Sequence, residues 1–368
     1  MILDNWNNLK KPEKTFYITV FITFIFSIYL ILHFKSSSLP PFIMGSISVI
    51  LSLISINNPE KNGKWAFREI ILIILLIQLA SHLPTYFVAV ARICYTKNLK
   101  DELLIKVDNF LLGWIFPKGQ LSLFLDVNNS FGPHTNFGHF INNSLQIFYF
   151  LYYIIPYVSM YIILWINLIK ETIFRFYNNG KKSNSYEISW NQIFFIFSAY
   201  NLCYCCIFFI NTLIPASSPR IYLKNDFSQM LSLTGFAKFL NKTCKDNKSA
   251  NSFPSGHVAE PLCIAFVLYN CNRKTLGILA FIGCFFIFNA ILFLRYHYFI
   301  DGLIAIFVAI FVFSIPYYFC FKNIDFNLYE NNNNVNNNSY LDDLKLSNQV
   351  GIEIHKLKDG EDKKVEIV

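Results

Sequence analysis

The sequence predicts an all-α polytopic membrane protein of about eight transmembrane helices, and three observations carry that prediction. Hydrophobic residues make up 54% of the 368-residue chain and charged residues only 15%, where a soluble domain carries about a quarter charged residues. The mean hydropathy is positive, at +0.39. The apolar residues, among them 40 phenylalanines and 21 tyrosines, gather in long runs that soluble packing could not hide.

In chain order the runs are Thr15–Phe34, Pro41–Ile56, Arg68–Ala91, Leu145–Ile169, Gln192–Ile214, His257–Cys271, Thr275–Leu294 and Ile300–Phe321. A crossing needs roughly 20 residues, and in lipid every backbone group must bond within the protein, so these runs are helices. The first run is too long for a cleaved leader, and no small-residue cleavage site follows it. The second and sixth are short, so their ends are loosely set. The third holds His82 and Pro84, which read as a core histidine and a kink. Cys203, Cys205, Cys206, Cys263, Cys271, Cys284 and Cys320 sit inside runs and behave as small apolar residues.

Lysines and arginines set the orientation. Lys10, Lys11 and Lys14 precede the first run; Lys61, Lys64 and Arg68 follow the second; Lys170, Arg175, Lys181 and Lys182 follow the fourth; Arg273 and Lys274 follow the sixth. Threading eight helices puts all four groups on one side, which is then cytoplasmic. The opposite, lumenal or extracellular side receives NSFPSGH (251–257), RYHYFID (295–301), VDNFLLGWIFPKGQL (107–121) and IPASSPRIYL (214–223). It also receives the sequons at Asn128, Asn241 and Asn247 and the pair Cys94 and Cys244, whose pairing the sequence leaves open. The expected organisation is a hairpin at 1–60, a six-helix membrane domain at 61–321 and a disordered, asparagine-rich cytosolic tail at 322–368.

Histidine titrates near neutrality and serves as acid, base or nucleophile. If the last helix begins near Tyr296, His297 and Asp301 lie one turn apart on one face. The carboxylate would then hold one ring nitrogen as N–H and leave a lone pair on the other. His257, at the mouth of another helix, suits a general acid. Ser255 and Gly256 open that helix, whose free N–H groups favour an anion. Arg220 adds a cation whose fork matches phosphate oxygens. Together these residues describe phosphoryl transfer through a phosphohistidine, with no metal and no cofactor.

The pieces PSGH (254–257) and HYFID (297–301) resemble the second and third signature motifs of the type 2 phosphatidic acid phosphatase superfamily. VDNFLLGWIFP (107–117), IFYFLYYIIPY (147–157) and IPASSPR (214–220) look like the inositol phosphorylceramide synthase and sphingomyelin synthase branch. The resemblance covers roughly Arg68 to Phe321. It implies a six-helix core with His297 as nucleophile, Asp301 as its support and His257 as acid. Where the phosphatase branch has an arginine six residues before the nucleophile, this chain has Ile291. Its Lys-(six residues)-Arg-Pro pattern also fails, because here Pro219 precedes Arg220 and the lysine position is Leu213.

The resemblance implies a lipid phosphotransferase that moves a phosphoryl headgroup from a phospholipid to ceramide or diacylglycerol. Hydrolysis of a lipid phosphate stays open, as does a non-enzymatic transporter or scramblase. The partners are bilayer lipids and not nucleic acid. Arg295 and Asp108 complete the candidate substrate-binding residues, although Arg295 reads first as an interface anchor and Asp108 first as a cap of the 108–116 stretch. Glu260, one turn into its run, reads as exposed at the interface. His134 and His139 read as loop residues.

Overall fold

In the computed structural model, the described residues are 2–34, 39–57, 70–79, 90, 98–116, 119–128, 132–133, 135–177, 184–228, 231, 233–243, 252–322 and 324. Among them the chain is all helix, with no strand. The helices are α1 (Ile2–Asn8), α2 (Lys11–Phe34) and α3 (Leu39–Asn57), α4 (Ile70–Leu79), α5 (Asp101–Leu112) and α6 (Leu121–Val127). There follow α7 (Asn136–Tyr177), α8 (Asn184–Leu213), α9 (Pro219–Tyr222) and α10 (Gly235–Thr243), then α11 (Gly256–Asn270), α12 (Lys274–Phe293) and α13 (Phe299–Pro316). His82 and Pro84 of the third run lie outside the described residues, as do His134, Cys94, Cys244, Asn247 and the tail from Asp325.

Among the described residues, five helices are long and apolar enough to cross a membrane: α2, α3, α8 from Trp190, α12, and α13 with its continuation to Phe321. The protein is an integral, multi-pass membrane protein. The other expected crossings differ in length for physical reasons. α11 has 15 residues, about 22 Å at 1.5 Å per residue, less than the roughly 30 Å of hydrocarbon. α7 has 42 residues, about 63 Å, so it runs well beyond the bilayer core.

The contacts give helix directions. Tyr149 on α7 bonds His257 on α11, and Tyr152 bonds Glu260, both across 108 residues, so α7 and α11 run parallel. α8 runs antiparallel to α11, since Gln192 near its start bonds the carbonyl of Cys271 just past the end of α11. Phe16 meets Phe194 and Tyr29 meets Phe209, so α2 runs parallel to α8. Phe195, near the start of α8, stacks on Phe321, just past α13, so those two are antiparallel. These directions are the ones an eight-pass threading demands.

α8 is the central helix, with Phe195, Ala199, Tyr200 and Cys203 buried. α12 and α13 approach closely at Gly302. A Cβ there would lie 2.6 Å from the ring of Phe288, so only glycine fits beside Asp301. In the N-terminal hairpin the Tyr17 hydroxyl bonds Ser55 across α2 and α3 at 2.8 Å.

Candidate active site

The catalytic candidates gather at one end of the bundle, where the turn between α12 and α13 meets the start of α11. Arg295 takes a left-handed conformation (φ 64°), which folds the chain back so that the amides of Tyr296 and His297 both bond the carbonyl of Ile291. Tyr298 caps α13, and the Asp301 carboxylate accepts the Tyr298 amide at 3.0 Å. His297 therefore precedes the helix; it does not share a helical face with Asp301, as a start near Tyr296 would have given. The pair still meets, because the capping carboxylate turns back toward the ring.

His297 Nδ1 lies 3.2 Å from Asp301 Oδ2 and 2.9 Å from the Ser252 carbonyl. A carbonyl only accepts, so Nδ1 carries the proton and Nε2 keeps its lone pair. Ser252 Oγ also donates to Asp301 Oδ2. Ser252 carries no signal in the sequence; its part appears only when the loop before Pro254 folds over the ring. His297 Nε2 faces His257 Nδ1 at 3.4 Å, and His257 Nε2 bonds the Tyr149 hydroxyl at 2.7 Å. The rings of Tyr149 and Tyr152 lie against His257 with centroids 4.6 and 4.1 Å away.

Ser255 caps α11 by position, and its amide donates to the backbone carbonyl of Asp301 at 3.1 Å. Its hydroxyl and Asp301 Oδ1 are buried and have no hydrogen-bond partner among the described residues. A Cβ at Gly256 would stand 3.0 Å from a Glu260 carboxylate oxygen, a contact that a shift of a few tenths of an ångström in that carboxylate would relieve. Glu260 is not at the interface. It is buried, accepting hydrogen bonds from Tyr152 at 2.9 Å and Tyr200 at 3.5 Å. The expectation of exposure misses that α7 and α8 flank this turn with tyrosines.

Two substrate-binding candidates are engaged elsewhere. Arg295 is buried and paired with Asp126, with its guanidinium over the ring of Phe227 at 3.9 Å. Asp108 accepts the amides of Phe299 at 3.0 Å and Ile300 at 2.9 Å, so it caps α13 rather than its own helix. Burial pushes the Asp108 carboxyl up to about 7, against those amide bonds and that of Gln120, with the Asp301 charge adding to the rise. Asp101 lies one face with it along α5, accepting the Tyr298 hydroxyl and both the amide and hydroxyl of Ser217. Burial raises its carboxyl too, opposed by those bonds.

Arg220 is half-buried, bonding Asn241 at 2.8 Å and lying near the Tyr296 hydroxyl at 3.4 Å. Its amide bonds the Arg295 carbonyl at 2.9 Å. Ile291, which stands at the phosphatase arginine position, is fully buried. His139 is on α7 and bonds Asn143 there; it is not a loop residue.

Residues 193–315, which hold Arg220, His257, His297 and Asp301, match the PAP2 superfamily. A PA-phosphatase related-family protein of Dictyostelium discoideum is 30% identical over 310 residues, 81% of this chain. The matched stretch spans 54% of that relative, so the chain corresponds to about half its length. No solved structure matches the chain. The family match and the relative together make residues 193–315 similar to a PAP2 superfamily domain.

Proposed function

We propose that this protein is a membrane lipid phosphotransferase acting through a phosphohistidine on His297. The observation that carries the reading is the His297–His257 pair: one ring presents a lone pair at Nε2, and the other presents Nδ1 to it at 3.4 Å. The rings must part to admit a phosphoryl group. Once between them, phosphorus meets a nucleophile on one side and a proton donor on the other.

In the first step His297 Nε2 bonds phosphorus, and the P–O bond to the glycerol oxygen breaks. His257 protonates the departing alkoxide, and diacylglycerol leaves. In the second step His257 takes the proton from an acceptor hydroxyl, whose oxygen attacks phosphorus and frees His297. Asp301 and Ser252 hold Nδ1–H throughout. The unpartnered Ser255 hydroxyl, the amides that open α11 and the Arg220 guanidinium would hold the phosphate oxygens.

The acceptor is a lipid alcohol, ceramide or diacylglycerol, on the branch-like motifs and on Ile291 in place of the phosphatase arginine. The basic loops favour a site on the lumenal or extracellular side. A second reading, hydrolysis of a lipid phosphate with water as acceptor, is favoured by the name of the Dictyostelium relative. Mass spectrometry of lipids after incubation with phospholipid plus ceramide, against phosphatidic acid alone, decides between them. A new phosphorylated ceramide species supports transfer; free phosphate as the sole product with acceptors present leaves only hydrolysis.

A further inference from the structure

Two short helices at the catalytic end, α5 and α10, have the same two-sided construction. On α5 the inward side is Asp101, Leu104 and Asp108, all buried. The outward side carries Leu103 at 50%, Phe110 at 84% and, in the following turn, Trp114 at 81% exposure, with Lys106 exposed among them. On α10 Ala237 and Leu240 are buried, while Phe236 and Phe239 stand 60% and 59% exposed beside exposed Lys238. Both inward sides grip the nucleophile turn. Asp108 holds the amides of Phe299 and Ile300, and Asn241 accepts the Tyr296 hydroxyl at 2.9 Å.

We infer that α5 and α10 lie in the headgroup region of the leaflet that the catalytic end faces, docked on lipid through Phe110, Trp114, Phe236 and Phe239. Large aromatic residues on an outer face, with lysine beside them, are the composition of a helix lying in a membrane interface. Water would leave these rings exposed at a cost that grows with their apolar area. Lys106 and Lys238 match phosphate headgroups. Continuity with the lipid-facing spans settles the occupant, because Asp108 ties α5 directly to the first residues of the spanning helix α13. The helices would then hold His297 at the depth of a phospholipid phosphate. This inference stands apart from the reaction proposed above, since its readout is depth and not turnover.

Tryptophan fluorescence tests it. The full-length protein with Trp6, Trp65, Trp165 and Trp190 changed to Phe keeps Trp114 as its single reporter. It is reconstituted into phosphatidylcholine vesicles brominated either near the headgroup or near the end of the acyl chain. The expected result is stronger quenching of Trp114 by the shallow bromine than by the deep one, and weak quenching by aqueous iodide. Quenching by iodide alone would put α5 in water. Quenching by no agent would mean that protein, from a partner or a second copy, covers the face. Deeper quenching than shallow would bury it in the core. Each of these three overturns the inference. If the four-fold variant does not fold, the difference in emission between the unaltered protein and Trp114→Phe gives the same readout.

Discussion

His297 Nε2 stands 3.4 Å from His257 Nδ1, a contact between the turn before α13 and the first turn of α11. Nothing in the protein other than His257 is bonded to that nitrogen among the described contacts, whereas Nδ1 has two acceptors. In the proposed reaction this asymmetry gives attack to His297 and proton transfer to His257. His297→Ala should therefore abolish turnover and leave no acid-labile, base-stable phosphoryl adduct. Normal turnover in that variant would end the covalent reading.

His257→Ala should slow transfer from a lipid alkoxide by roughly 10²–10⁴-fold, the usual worth of a general acid. A p-nitrophenyl leaving group needs little protonation, so its release should fall far less. Steady-state rates on both substrates are the check, and equal losses would remove the acid role.

Ser252→Ala should lower turnover with little change in KM. The Ser252 hydroxyl donates to the Asp301 oxygen that faces His297 Nδ1. Losing a bond to a charged group costs about 1.5–3 kcal/mol, which corresponds to roughly 10–100-fold in rate. Unchanged kcat would show that the Ser252 carbonyl and Asp301 position the ring without it.

Asp126→Ala should destabilise the protein by about 3–5 kcal/mol, because it removes the carboxylate that pairs with the buried Arg295 guanidinium. Replacing both members with apolar residues of similar size should recover much of that loss. Thermal unfolding in detergent measures both. Equal stability of the single variant and the unaltered protein would mean the pair is dispensable.

The Asp108 cap should depend on pH. Its carboxyl is raised in the folded protein from 3.8 to about 7, mainly by burial. A raised value means the folded state favours the protonated form. Its contribution is then full below about 4 and lost as pH rises to about 7. The unfolding midpoint of the protein relative to Asp108→Asn should fall across that window and level off above it. A difference that rises with pH would show instead that the amides of Phe299 and Ile300 hold the anion.

The two-residue ladder between α7 and α11 gives a prediction about packing. Tyr152→Phe removes a donor from buried Glu260, which should cost about 1–3 kcal/mol of stability. Glu260→Gln keeps an acceptor for the Tyr152 hydroxyl and should cost less. The order of the two midpoints is the test.

Much of the fold is legible in the sequence. Apolar runs fix where helices cross, because no other structure satisfies its backbone in lipid, and strict alternation of crossings then sends PSGH, HYFID and IPASSPR to one end. The pairing of His297 with Asp301 is legible too, being local. The rest depends on the rotation and register of helices about one another. Hydropathy does not encode these when a helix such as α8 is apolar on nearly every face. Tyr149 reaches His257 across 108 residues, Asp126 reaches Arg295 across 169, and Asp108 reaches Ile300 across 192. Those three contacts decide which candidates lie beside His297 and His257 and which hold the turn in place. Arg295 and Asp108 pass to the second group for one physical reason: a charge buried in a membrane protein must find its partner first, and here that partner is protein.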